Sequence, residues 1–183
     1  VTLGQVPSVD YWYLATNFER KPFDDERVRE AINYGLDREA IAEAAQPNAA
    51  KPIQTAIPEG LYGHTDYAPI TRDVAKARSL LADAGHPRVS LGLMVTSEYP
   101  ETVQVAQVIA SNLHEVGIDV RVEVEEFATW LDRESKGDFD SFLLGWIGNA
   151  DPFDFYQSQH SCDGANNYQK YCDPETDELL KRA

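Results

Sequence analysis

The chain has 183 residues, 43% of them apolar, which suffices for one core and is too apolar for a disordered tail. Sixteen basic residues stand against 31 acidic ones, a net charge of −15 that disfavours nucleic acid and anionic membrane surfaces as partners. No apolar run reaches the ~18 residues a bilayer span needs. The opening VTLGQVPSVD has neither a basic region nor an apolar core, so a signal peptide is expected to be absent or already removed.

In chain order, aromatic-rich Tyr11–Phe18 reads as a strand. A helix follows over Glu26–Ala45, with Val28, Ala31, Ile32 and Gly35 on one face and Asp37 able to split it by capping a second segment. Residues 46–72 hold four prolines and read as a long irregular connection. Asp73 caps a helix through Ala84, stopped by Gly85. Val89–Thr96 is a strand, Pro100–Val116 a helix ended by Gly117, and Ile118–Val124 a strictly alternating strand. Phe127–Lys136 is a short helix ended by Gly137, and Phe139–Trp146 a strand. This βαβαβ succession predicts an α/β lobe of βαβ units around a mixed or largely parallel sheet. A loop over 146–156 leads into at least one helical turn, and Pro174–Arg182 reads as a helix capped by Asp173.

Cys162 and Cys172 lie in the turn-forming stretch SCDGANNYQKYCD. Pairing them closes a loop of roughly 10 residues, worth roughly 2.7 kcal/mol, and implies an oxidising compartment. Two unrelated free thiols are the alternative. The four histidines, His64, His86, His114 and His160, are scattered, so no metal site is expected. No GxSxG, GxGxxG or GxxxxGK[ST] motif occurs. The acidic pairs Asp24–Asp25 and Glu125–Glu126 read as solvated surface, so no enzyme and no cofactor are expected.

Trp146 is the informative aromatic. It ends a strand and opens the loop 147–151, where an α/β sheet places its ligands. Trp146 offers an apolar wall, Gly148 a close backbone approach, and Asn149 and Asp151 hydrogen bonds. Core packing is the competing reading of Trp146.

Several stretches also carry a resemblance. NFERKPFDDERVREAINYGLDREAI, VAKARSLLADAGHP, the run from LHEVGIDV to GWIGNADPFDF, and the Cys-bracketed tail together resemble the peptide-binding family of ABC-transporter solute-binding proteins, which includes dipeptide, oligopeptide and nickel binders. The resemblance covers the chain in order. It implies the C-terminal ligand-binding lobe, residues 1–183, of a two-lobed (type II) periplasmic-binding-protein-like receptor, with the first lobe before residue 1 and further segments after residue 183. It also implies an extracytoplasmic, periplasmic or lipid-anchored monomer that binds peptides or related solutes and docks on an ABC transporter permease. A nickel or metal-chelate receptor of the same family is the alternative, and an α/β hydrolase a more distant one. In peptide binders an Asp three positions after the loop Trp holds the ligand's α-amino group, and here Asn149 stands there. Dipeptide binders carry an Arg near the strand end, where this chain has Ser97, Glu98 and Tyr99. The family's aromatic on the short helix appears as Phe127, with Trp130 one turn on. A changed ligand follows from those departures, because losing a charge-assisted hydrogen bond costs roughly 1.5–3 kcal/mol.

Overall fold

The structure is a computed structural model that describes residues 8–148 and 151–182. Four strands form one mixed sheet in the order β1–β4–β2–β3: β1 (Asp10–Thr16), β2 (Val89–Thr96), β3 (Ile118–Glu125) and β4 (Ser141–Ile147). β2 runs parallel to both β3 and β4, while β1 runs antiparallel to β4 with Asp10 opposite Ile147 and Thr16 opposite Ser141. The C-terminal ends of β2, β3 and β4 therefore share one end of the sheet with the start of β1.

Side-chain alternation sorts the two faces. Leu91, Leu93, Val95, Ile118 and Leu143 point to the larger core, which is completed by α1 (Glu26–Gly35), α3 (Val74–Asp83) and α4 (Pro100–Val116). The helix expected over Glu26–Ala45 is split where Asp37 allows it: Leu36 is extended and the Asp37 carboxylate accepts from Ala40 N–H to start α2 (Arg38–Ala45). Gly35 is glycine for contact, since a Cβ there would sit 2.9 Å from Leu113 of α4.

The opposite face carries Ala15, Met94 and Phe142, covered by Trp130 of α5 (Phe127–Lys136) and by Phe139. Arg133 of α5 pairs with Glu123 at 2.9 Å and Glu125 at 2.6 Å, fixing the helix across β3. The loop expected over 146–156 is shorter than that. Asp151 accepts from Phe153 N–H and Pro152 occupies the first turn, so α6 (Pro152–His160) starts at once. Tyr11, Ile57 and Phe155 form a third cluster under it, and residues 46–72 carry no helix or strand.

Cys162 and Cys172 are joined in a disulfide, as their setting predicts, and α7 (Pro174–Leu180) follows. The bridge closes a span of 10 residues. Replacing both cysteines with serine is expected to lower unfolding free energy by about 2.7 kcal/mol. The midpoint of urea unfolding checks this, and an unchanged midpoint would contradict it.

Candidate functional site

The shared strand end collects exposed aromatic and acidic side chains. Trp12 of β1, on the face of the larger core, lies across Gly145 of β4, where even a Cβ would only touch the ring, at 3.4–3.6 Å. Its ring meets Tyr99 edge-on at 6.4 Å, and Tyr99 meets Phe127 edge-on at 5.8 Å. Phe127 stacks on Trp130 at 6.2 Å, and Trp130 meets Phe142 at 5.3 Å. The aromatic run thus passes over the sheet end from one face to the other. Trp12 and Tyr99 are 38% and 40% exposed, so the upper half of the run forms an open wall that rests on a buried lower half.

Beside that wall, the turn after β2 is fixed by its own polar groups. Ser97 N–H donates to Glu125 O at 3.0 Å, tying the end of β2 to that of β3. Thr102 Oγ1 donates to Tyr99 O at 2.7 Å and to Thr96 O at 3.2 Å, which seats Tyr99 at the start of α4. The Glu98 carboxylate accepts from the hydroxyls of Thr96 and Ser97. The Thr96 hydrogen bond is the main cause that holds its pKa below the usual carboxylate range. Glu98 is therefore an anion at neutral pH. Glu126 caps α5 by accepting from Ala128 and Thr129 N–H. An aromatic wall with fixed carboxylates at its rim suits a solute that has an apolar body and a cationic group.

Ser97, Tyr99 and Phe127, picked out from sequence, meet at this end. Trp130 needs correction as a contact residue: it is fully buried, because α5 turns it onto Phe142, and it supports Phe127 from behind. Trp146 is half-buried on the face opposite Trp12, packed against the cluster of Tyr11, Ile57 and Phe155. The space at Gly148 is already taken within the chain, since a Cβ there would come 2.0 Å from the Phe155 ring. Asp151 serves as the α6 cap, and Asn149 lies outside the described residues. Trp12 is the residue that sequence reasoning missed. Gly145, in the middle of a strand, was the available signal of a close neighbour.

Among the described residues, no group of three His, Cys, Asp or Glu side chains is placed to hold a metal ion, and no helix is long and apolar enough to cross a membrane. Comparison with known proteins places the chain. Residues 2–167 match the family described as bacterial extracellular solute-binding proteins, family 5, middle region. The chain belongs to this family.

Among family 5 relatives, the dipeptide-binding protein of Escherichia coli K12 is 30% identical over all of this chain and 36% of its own length. Heme-binding protein A of Haemophilus influenzae is 29% identical over all of this chain and 35% of its own. In structure, the periplasmic binding protein DppA of Helicobacter pylori, solved in complex with the peptide STSA, superimposes with a TM-score of 0.90 at 26% identity, covering 97% of this chain and 36% of DppA. The fold is that of one lobe of a type II periplasmic binding protein. The chain spans about a third of the length of the curated relatives it matches. These relatives are named as binding proteins, not as enzymes.

Proposed function

We propose that this chain is the C-terminal lobe, residues 1–183, of an extracytoplasmic family 5 receptor that captures a peptide or related small solute between two lobes for an ABC importer. The observation that carries this reading is the aromatic wall of Trp12, Tyr99 and Phe127 at the strand ends, an open apolar surface with the Glu98 carboxylate beside it. Several of the relatives are named for dipeptides and tripeptides, which combine an ammonium group with apolar side chains. Capture works by closure rather than chemistry. A ligand held on this wall is covered by the second lobe, and its differential affinity for the closed form shifts the open–closed equilibrium. The membrane permease reads the closed form.

Ser97 and Glu98 take up polar and cationic groups, while Trp146 and Asp151 border the site from the β4–α6 side. A solute with a basic side chain or a free amino terminus is favoured. Trp12→Ala in the full-length receptor is expected to weaken peptide binding by roughly 5- to 150-fold, equivalent to about 1–3 kcal/mol. Calorimetric titration with a set of dipeptides and tripeptides measures this. Because Trp12 is partly exposed, its melting temperature should change far less than that of a Trp146→Ala variant, whose indole packs on Phe155 and its neighbours. Full affinity in the Trp12→Ala receptor would remove the wall from the site.

A further inference from the structure

The aromatic run at the strand ends has at its edge a carboxylate that the fold holds in place. Thr96 Oγ1 and Ser97 Oγ both donate to Glu98 Oε2, the second at 3.2 Å. Glu98 N–H in turn donates to Thr96 Oγ1 at 3.3 Å, which closes a tight turn at the end of β2. The Thr96 hydroxyl is the main group that keeps this carboxyl ionised, and the Phe127 N–H adds to it. Glu98 therefore lies between Tyr99 of the wall and the start of α5. It is exposed, and with both hydroxyls on Oε2 the carboxylate keeps acceptor capacity. Its acidic neighbours are already engaged: Glu123 and Glu125 share Arg133, and Glu126 caps α5. Among the described residues no Lys, Arg or His forms an ion pair with Glu98.

We propose that Glu98 selects ligands with a long basic side chain, whose apolar stem lies along Tyr99 and Trp12 and whose ammonium or guanidinium group pairs with the carboxylate. This deepens the receptor reading above and rests on it. Trp12 and Tyr99 are both partly exposed, and their ring centroids are 6.4 Å apart, about the reach of a four-carbon stem. Trp12 meets Tyr99 at 84° and Tyr99 meets Phe127 at 80°, so ring faces turn in more than one direction beside the anion. An alkyl cation gains there from apolar contact and from the ring electrons together. A free amino terminus fits less well. It has no stem, so reaching Glu98 would press the first peptide group against the rings, with its N–H and C=O unpartnered. The carboxylate is positioned before ligand arrives, so it loses little freedom on pairing. The net charge of −15 on the chain draws cationic solutes in the same direction.

The test is calorimetric titration of the full-length receptor with dipeptides of alanine and lysine in both orders, and with the same dipeptides carrying norleucine in place of lysine. The two side chains share the four-carbon stem, and only lysine bears the ammonium group. Wild type is expected to bind a lysine dipeptide roughly 10- to 100-fold more tightly than its norleucine counterpart. Glu98→Gln keeps the size of the side chain and removes its charge, and in that variant the preference is expected to disappear. The comparison is internal to each protein. A wall that is merely loosened weakens both peptides alike and keeps the ratio, whereas a lost charge changes the ratio. Equal binding of the lysine and norleucine peptides by wild type overturns the proposal and leaves the receptor reading intact. A lysine preference that survives in Glu98→Gln overturns it as well, by placing the cation on another group. A receptor that binds neither peptide removes both readings.

Discussion

Trp130→Ala is expected to lower unfolding free energy by about 3–5 kcal/mol, the range for emptying a buried aromatic site. The residue is fully buried and touches both Phe142 and Phe127, so its removal leaves a cavity under α5 and takes the support from Phe127. Its Nε1 has no hydrogen-bond partner among the described residues, so the loss is one of packing. Trp130→Phe should for that reason recover most of the stability. Urea unfolding of the two variants checks both points. A large loss in Trp130→Phe would show that the indole N–H matters. Affinity in Trp130→Ala should fall together with stability, since the exposed wall rests on this ring.

Glu134, one turn further along α5, gives the second large effect. It is only 3% exposed, and burial raises its pKa to about 7 from the usual 4.5. Tyr13 and Tyr168 are the titratable groups coupled to it from β1 and the disulfide loop, and burial pushes both phenols up, so both are neutral at pH 7. The sign follows from proton binding. Below about pH 4.5 the folded and unfolded chains both hold the proton. Between about 4.5 and 7 the unfolded chain releases it and the native chain keeps it, so stability falls as pH rises. Above 7 the loss is complete, at about 3 kcal/mol. Glu134→Gln keeps the shape without the charge. It should flatten the fall between pH 5 and 7 and stabilise the protein at pH 8 by up to about 3 kcal/mol. Carboxylates held low, such as Glu98 and Asp173, act in the opposite direction and at lower pH. Equal pH profiles in wild type and Glu134→Gln would show that Glu134 ionises as an exposed carboxyl does.

Both residues sit where sequence is a poor guide to depth. Helix limits were legible because their signals are local: Asp37 and Asp73 cap with their own side chains, and Gly117 and Gly137 close helices at positive φ. The alternation of Ile118–Val124 likewise marks a strand with two unlike faces. Long-range pairing has no such local signature. Nothing within Tyr11–Phe18 tells that it runs antiparallel to a strand about 130 residues later, and only that pairing brings Trp12 to the end of the sheet where we propose the ligand binds. In sequence Gly148 reads as an opening for ligand, yet its small size is required by Phe155, seven residues on and folded back over it. Trp146 and Trp12, on neighbouring strands, face opposite ways because of register alone.

Indole NMR of the full-length receptor tests the central claim most directly. Trp12, Trp130 and Trp146 are the three tryptophans of this chain, and their side-chain N–H signals are assignable by substitution. On addition of a bound dipeptide or tripeptide, the Trp12 signal is predicted to move most, because its ring lies on the open wall. Trp130, buried beneath, should shift little. A Trp12 signal unchanged at saturating peptide would contradict the account and place the site away from this end of the sheet.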